Sequence, residues 1–141
     1  MKIAPLPKVI AFDFDGVFVR DSDAVFKKEA YNIAFAPYIG RYEPLLAKGN
    51  TLFGSGKPGG RKEIMRFIFE SLGEPSESLD ALVAEAARVF DEYVQEKILQ
   101  AGLVPGAREL LAELSARGVS MYLNSGTATP ALAMSSRNLG I

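Results

Sequence analysis

VIAFDFDG, residues 9–16, is the stretch of sequence that decides the fold. The apolar residues of this stretch follow Pro5 and Pro7, and Gly16 closes it. This pattern predicts a buried strand over 9–14. Asp13 and Asp15 stand two residues apart near the end of that strand, so both carboxylates are expected on one face. Such a pair is costly to bury unless a cation or hydrogen-bond donors compensate it. Mg²⁺, which prefers oxygen ligands, is the expected cation.

A second buried strand is predicted over 119–123, and polar residues follow it. The turn NSGT, 124–127, leads into a last helix, for which we expect Thr129 as the cap and Pro130 as the first residue. Ligands of parallel sheets bind beyond the carboxyl ends of the strands, and hydroxyl groups before a helix suit a phosphate. Ser125 is therefore the expected phosphate-binding residue. Two plainer interpretations stay open: the aspartates cap backbone amides, and Ser125 and Thr127 close a turn.

The chain between the two strands is helical by its apolar spacing. One helix is expected to begin at Ser22, as its cap, and to end near Ala36, with Ile33 facing inward. Further helices are predicted over 42–48, 61–72, 76–99 and from Ala107 to Gly118. Two buried strands joined through a helix imply a parallel pair in an α/β fold with a right-handed crossover. A crossover needs only about a dozen residues, so the block 17–102 is predicted to be an inserted helical subdomain.

Composition excludes several functions. The chain has 141 residues, a formal net charge of −1, and neither cysteine nor histidine. Disulfides, cysteine nucleophiles, Ser-His-Asp triads and histidine-bound zinc are therefore excluded. No basic field for nucleic acid and no membrane-length apolar run is present, so a soluble cytoplasmic protein is expected. The composition does not fix the oligomeric state.

Three motifs, FDFDGV at 12–17, VPGARELLAEL at 104–114 and MYLNSG at 121–126, follow one another along the chain. Together they resemble the haloacid dehalogenase-like (HAD) superfamily. FDFDGV resembles its first motif, hhDxDGx. VPGARELLAEL, 104–114, resembles the stretch that leads into the second motif, and MYLNSG, 121–126, resembles that motif itself. The resemblance covers the whole chain, in family order and spacing, with a helical block that is similar to the C1-type cap of subfamily I. It implies a Rossmann-like parallel-sheet core over 1–16 and 103–141, incomplete here, and a cap over 17–102.

The resemblance also implies an activity, hydrolysis of a small phosphorylated metabolite, as in phosphoglycolate phosphatase-like relatives. Asp13 would be the nucleophile that forms an aspartyl-phosphate, and it would ligate Mg²⁺. Asp15 would exchange protons with the leaving oxygen and the attacking water, and its backbone carbonyl would also contact the metal. Ser125 would bind the transferring phosphoryl group, beside Gly126 and Gly16.

Substrate selection is expected from the helical insert, whose segment GKPGGRK, 56–62, is basic and glycine-rich. Arg61 is the first choice because its guanidinium can hold phosphate or carboxylate with two hydrogen bonds, and Lys57 is the second. A solvated loop that only keeps the insert soluble is the alternative.

One departure from the family pattern matters. The family places a lysine and further acidic residues after the second motif, whereas Arg137 is the only charged residue after Ser125 here. We therefore expect a truncated chain with weak or no turnover by itself. A sugar-phosphate phosphomutase and a noncatalytic phosphate- or partner-binding fragment are the alternatives to the phosphatase.

Overall fold

The computed structural model describes residues 7–54 and 57–141 of the chain. Two four-residue strands and six α-helices make up most of it. Residues 1–6 of the predicted core and Ser55 and Gly56 of the glycine-rich segment lie outside the described residues. In chain order the elements are β1 (Val9–Phe12), α1 (Lys27–Ala34), α2 (Glu43–Phe53), α3 (Arg61–Leu72), α4 (Leu79–Ala101), α5 (Ala107–Ala116), β2 (Ser120–Leu123) and α6 (Thr129–Leu139).

The two strands form a parallel pair, which confirms the predicted α/β class. Their register joins Val9 to Ser120 at one end and Phe12 to Leu123 at the other. β1 is shorter than the predicted 9–14, because the Asp13 carboxylate accepts a hydrogen bond from the Phe14 amide. A short polar side chain that bonds to the adjacent backbone competes with the ladder of the sheet. The strand therefore ends just before the two aspartates.

Two compact units are distinguished by their internal contacts. The α/β unit comprises residues 1–25 and 95–141, and the helical unit comprises residues 26–94. Residues 17–25 and 95–102, which were expected in the insert, thus group with the α/β unit. The boundary of a compact unit is not the same thing as the boundary of a functional cap, so the cap boundaries at 17 and 102 stay a prediction. No helix in the described part of the chain combines the length and apolarity that a bilayer span needs.

The prediction of one helix over 22–36 is wrong in its boundaries. Ser22–Phe26 forms a π-helical turn, and α1 ends at Ala34. A separate 3-10 turn, Ala36–Tyr38, follows, in which Pro37 has no amide hydrogen with which to continue the α-helix. Ile33 was expected inside but is 45% exposed, whereas Phe35 just beyond the helix is fully buried. The core contact is made where the helix unwinds.

Helix α2 continues well past the predicted end at Lys48. Gly49 is buried within it, and a Cβ atom at this position would lie 3.0 Å from Cγ2 of Ile64. The glycine is therefore a point of close approach between α2 and α3. Helix α3 has the predicted bounds, and Gly73 ends it in the left-handed conformation.

An aromatic cluster forms the core of the helical unit. Phe35 stacks on Tyr42 at a ring-centroid distance of 5.2 Å and packs against Phe69 at 4.8 Å. Tyr31 meets Phe90 edge-on at 4.9 Å. Burial raises the pKa of Tyr31 to about 12, so its phenol is neutral in the folded protein.

The motif 104–114 supports the end of the last helix. Arg108, at the start of α5, donates hydrogen bonds to the carbonyl oxygens of Leu139 (2.6 Å) and Gly140 (2.9 Å). These carbonyls have no partner within the helix, and a guanidinium satisfies both at once. Arg108 therefore fixes the C-terminal end of α6.

Candidate active site

The site is built where the two parallel strands end. Beyond the last register pair, the amide of Asn124 donates to the carbonyl oxygen of Phe12 at 2.8 Å. Asp13 and the 124–127 turn therefore leave the sheet side by side, at its carboxyl edge. This is the edge at which parallel α/β sheets bind ligands.

A tight loop carries the two aspartates away from β1. Phe14 anchors it, since its side chain is only 1% exposed and its carbonyl oxygen accepts from the amides of Val17 and Phe18. Gly16 has a φ of +74°, the left-handed conformation that glycine adopts readily and that this sharp turn requires. A Cβ atom on Gly16 would meet nothing within 4 Å, so the backbone conformation, rather than crowding, requires glycine there.

Asp15 is held by hydroxyl groups from two separate segments. Ser22 Oγ donates to Asp15 Oδ1 at 2.8 Å, and Thr127 Oγ1 donates to Asp15 Oδ2 at 2.8 Å. The second bond joins residues 112 positions apart and links the first motif directly to the turn after β2. Hydrogen bonds to a charged carboxylate are stronger than those between neutral groups. The two hydrogen bonds therefore hold the Asp15 carboxylate in place. Asp15 is half-buried, whereas Asp13 is exposed.

Ser125 and Gly126 lie in the same turn. Ser125 Oγ accepts a hydrogen bond from the amide of Thr127 at 3.1 Å. Ser125 is therefore bonded to the same residue that donates to Asp15. Gly126 is exposed. Of the predicted site residues, Asp13, Asp15 and Gly16 thus lie in the loop after β1, and Ser125 and Gly126 lie in the turn after β2. The hydrogen bond between Thr127 and Asp15 joins the two segments within the α/β unit.

Arg61 and Lys57 belong to the helical unit. Arg61 is the first residue of α3, forms an ion pair with Asp91, and lies over the Phe90 ring at 4.1 Å. Its guanidinium is therefore already engaged by a carboxylate and an aromatic face. Lys57 is exposed, and its amide donates to the carbonyl oxygen of Gly54 at 3.0 Å.

Two residues of the site were not predicted from the sequence. Ser22 was expected to cap a helix, but it makes no cap and its buried hydroxyl bonds to Asp15. Thr127 was considered only as part of a turn. The expected cap Thr129 is also wrong, because Ala128 precedes the helix and Thr129 is its first residue. Only the position of Thr127 beside Ser125 could have indicated its role.

The donor chemistry at the strand ends suits a hard divalent cation. Asp13 and Asp15 offer carboxylate oxygens, and Mg²⁺ is commonly held by one or two carboxylates together with water and substrate phosphate. Within residues 7–54 and 57–141, no group of three or more acidic residues could by itself hold a metal. The aspartate pair therefore fits Mg²⁺ in ligand type and leaves ligand positions for other donors.

An apolar cavity of about 470 Å³ lies elsewhere in the α/β unit. Neither aspartate and no residue of the 124–127 turn lines it. The residues that do include Phe12, Leu111, Met121, Leu123 and Ile141. This cavity is therefore not the candidate site, which lies at the strand ends.

A parallel α/β pair with an aspartate pair and a hydroxyl-bearing turn at its carboxyl edge has the layout of a ligand-binding site of parallel α/β proteins. The model of the haloacid dehalogenase-like hydrolase family matches residues 7–141. The chain therefore belongs to the haloacid dehalogenase-like hydrolases, as its motifs indicated. No curated protein matches the chain.

Proposed function

We propose that this hydrolase is a phosphatase that cleaves a small phosphorylated metabolite through an aspartyl-phosphate on Asp13. The observation that supports this proposal most is the hydrogen bond from Thr127 to Asp15, which joins the loop of the first motif to the turn of the second. One edge of the sheet thereby carries a nucleophile, an acid-base group and hydroxyl donors. Those are the groups that covalent phosphoryl transfer needs.

Asp13 is the proposed nucleophile because its carboxylate is exposed at the strand end, where it can approach a phosphorus atom. One of its oxygens accepts the Phe14 amide at 2.7 Å, which restricts rotation of the carboxylate. Attack forms an Asp13 oxygen–phosphorus bond and breaks the bond from phosphorus to the ester oxygen. Water then cleaves the acyl phosphate and releases inorganic phosphate.

Asp15 is the proposed acid-base residue. It gives a proton to the departing ester oxygen and later takes one from the attacking water. Ser125, with the backbone of Gly126 and Gly16, is proposed to bind the transferring phosphoryl oxygens, because exposed turn amides and hydroxyl groups suit an anion. Bound Mg²⁺, held by Asp13 and the Asp15 backbone carbonyl, would offset the repulsion between carboxylate and phosphate.

The helical unit is proposed to act as the cap that selects the substrate. Lys57 and Arg61 are its proposed anion-binding residues. The Asp91 and Phe90 contacts of Arg61 make Lys57 the more available of the two cations. We place the protein in the cytoplasm in this proposal, where small phosphate esters are found.

A noncatalytic phosphate-binding role is the second candidate. Residues 126–141 hold neither a lysine nor an acidic side chain, so no further ammonium or carboxylate comes from that segment. Binding of an anion by the turn needs fewer charged groups than catalysis does.

Phosphate release from an aryl phosphate, measured with and without Mg²⁺, separates the two candidates. We expect slow release that depends on Mg²⁺, because no lysine follows Ser125 in this chain. The release should be abolished in Asp13→Asn, with Asp23→Asn, an exposed aspartate of the neighbouring turn, as the control. Saturable binding of inorganic phosphate without any release by the wild-type protein would favour the binding role and overturn the phosphatase.

A further inference from the structure

Thr127 is the residue of the turn after β2 whose side chain contacts Asp15 of the first motif. Its hydroxyl donates to Asp15 Oδ2 at 2.8 Å, and its own amide donates to Ser125 Oγ at 3.1 Å. The threonine is therefore fixed at its backbone and reaches the carboxylate with its side chain. It is half-buried, at the boundary between the loops and solvent.

The other oxygen of Asp15 is held from a different direction. Ser22 Oγ lies 2.8 Å from Asp15 Oδ1 and 3.2 Å from the carbonyl oxygen of Val19. A hydroxyl group has one hydrogen, and the shorter contact to a charged acceptor receives it. Ser22 is fully buried, and it also accepts from the amide of Gly16 at 3.3 Å. Ser22 is thus part of the loop's internal structure.

Two donors on opposite oxygens fix the plane of a carboxyl group. The terminal torsion of an aspartate is broad and roughly two-fold, so a carboxylate held at one oxygen still swings about the Cβ–Cγ bond. With Ser22 on Oδ1 and Thr127 on Oδ2, that rotation would break at least one charge-assisted hydrogen bond. Both hydroxyls can also turn and accept, so the arrangement tolerates Asp15 with or without a proton.

We propose that Thr127 is a positioning residue that, with Ser22, fixes the plane of the Asp15 carboxyl group for proton transfer. This role rests on the proposed phosphatase function. Thr127 acts through Asp15 and needs no contact with the substrate. Misorientation of an acid-base group slows the chemical step and leaves ground-state binding of the substrate unchanged, so kcat is the quantity affected.

The test compares three variants in steady-state phosphatase assays with Mg²⁺ and an aryl phosphate. Thr127→Val keeps the branched shape and removes the hydroxyl; Thr127→Ser keeps the hydroxyl. Thr129→Val is the matched control, because Thr129 is exposed and two residues away on α6. We expect Thr127→Val to lower kcat about 10-fold with KM within about two-fold, Thr127→Ser to recover most of kcat, and Thr129→Val to match the wild type.

Three results overturn the positioning role: an unchanged kcat in Thr127→Val, an equal loss in Thr127→Ser, or a loss that falls on KM alone. These leave the phosphatase itself intact if Asp13→Asn still abolishes release. If the wild-type protein releases no phosphate, the proposed function fails. A double-mutant cycle then tests separately whether the Thr127 hydroxyl and the Asp15 carboxylate interact. Shifts in the urea midpoint of Thr127→Val and Asp15→Ala that do not add support the hydroxyl–carboxylate clamp, whereas additive shifts refute it.

Discussion

The loops of the α/β unit and the core of the helical unit are stabilised by different interactions. Asp15 accepts hydrogen bonds from hydroxyl groups of residues far apart in the sequence, whereas Phe35 is surrounded by aromatic rings. Polar contacts are directional and fix one geometry. Apolar contacts are non-directional and scale with buried area. We therefore expect substitutions in the first region to change activity more than stability, and those in the second to change stability.

The largest effect is expected from Asp13→Asn. The amide keeps the size of the side chain but is not a nucleophile, so phosphate release should fall by about 10³-fold or more. Asp13 is exposed, so the midpoint of urea unfolding should stay close to that of the wild type. A large drop in the midpoint would show that the aspartate loop carries stability and would break the contrast.

Phe35→Ala tests the other region. Phe35 is fully buried among aromatic rings, and its truncation should lower the free energy of unfolding by about 3–5 kcal/mol. Ile33→Ala, two residues earlier and 45% exposed, is the control and should change it by less than about 1 kcal/mol. Equal effects in chemical denaturation would mean that the aromatic cluster is not the centre of the helical unit.

Tyr31 adds a pH dependence to the stability of that cluster. Its folded pKa is raised to about 12 from an ordinary value of 10.0, chiefly by burial. The folded state therefore favours the neutral phenol. The stabilisation is complete below pH 10 and is lost as the pH rises through 12, by about 3 kcal/mol at most. Tyr31→Phe should lose less stability between pH 10 and 12 than the wild type, and parallel curves would refute this.

The smallest effect is expected from Arg61→Lys. Lysine keeps the charge but loses the planar stacking on Phe90, so the free energy of unfolding should fall by about 0.5–1 kcal/mol. Lys62→Arg is the control for a charged exchange on the exposed side of α3. A rise in KM without loss of stability would instead make Arg61 a substrate contact and sharpen the division between the two regions.

The sequence predicted the long helices best where local signals agreed. Helix α3 begins at Arg61 and ends before Gly73, because an apolar stripe and a glycine stop coincide. It predicted least where a glycine has a tertiary role: Gly49 looks like a helix end but lies inside α2, against Ile64. The burial of Phe35 was not predicted for a similar reason. Phe35 lies just beyond the end of α1, where the helical spacing of apolar residues no longer indicates which side chains are buried.

The site divides in the same way. The sequence alone determined the chemistry at the strand ends, since the order of apolar run, Asp13, Asp15 and Gly16 fixes a strand, two carboxylates and a turn. Only the tertiary structure decided which groups hold Asp15. Thr127 lies 112 residues away from it, and a hydrogen bond over that separation depends on the parallel pairing of β1 with β2. Local patterns carry no information on such a contact, because it forms only when distant segments pack.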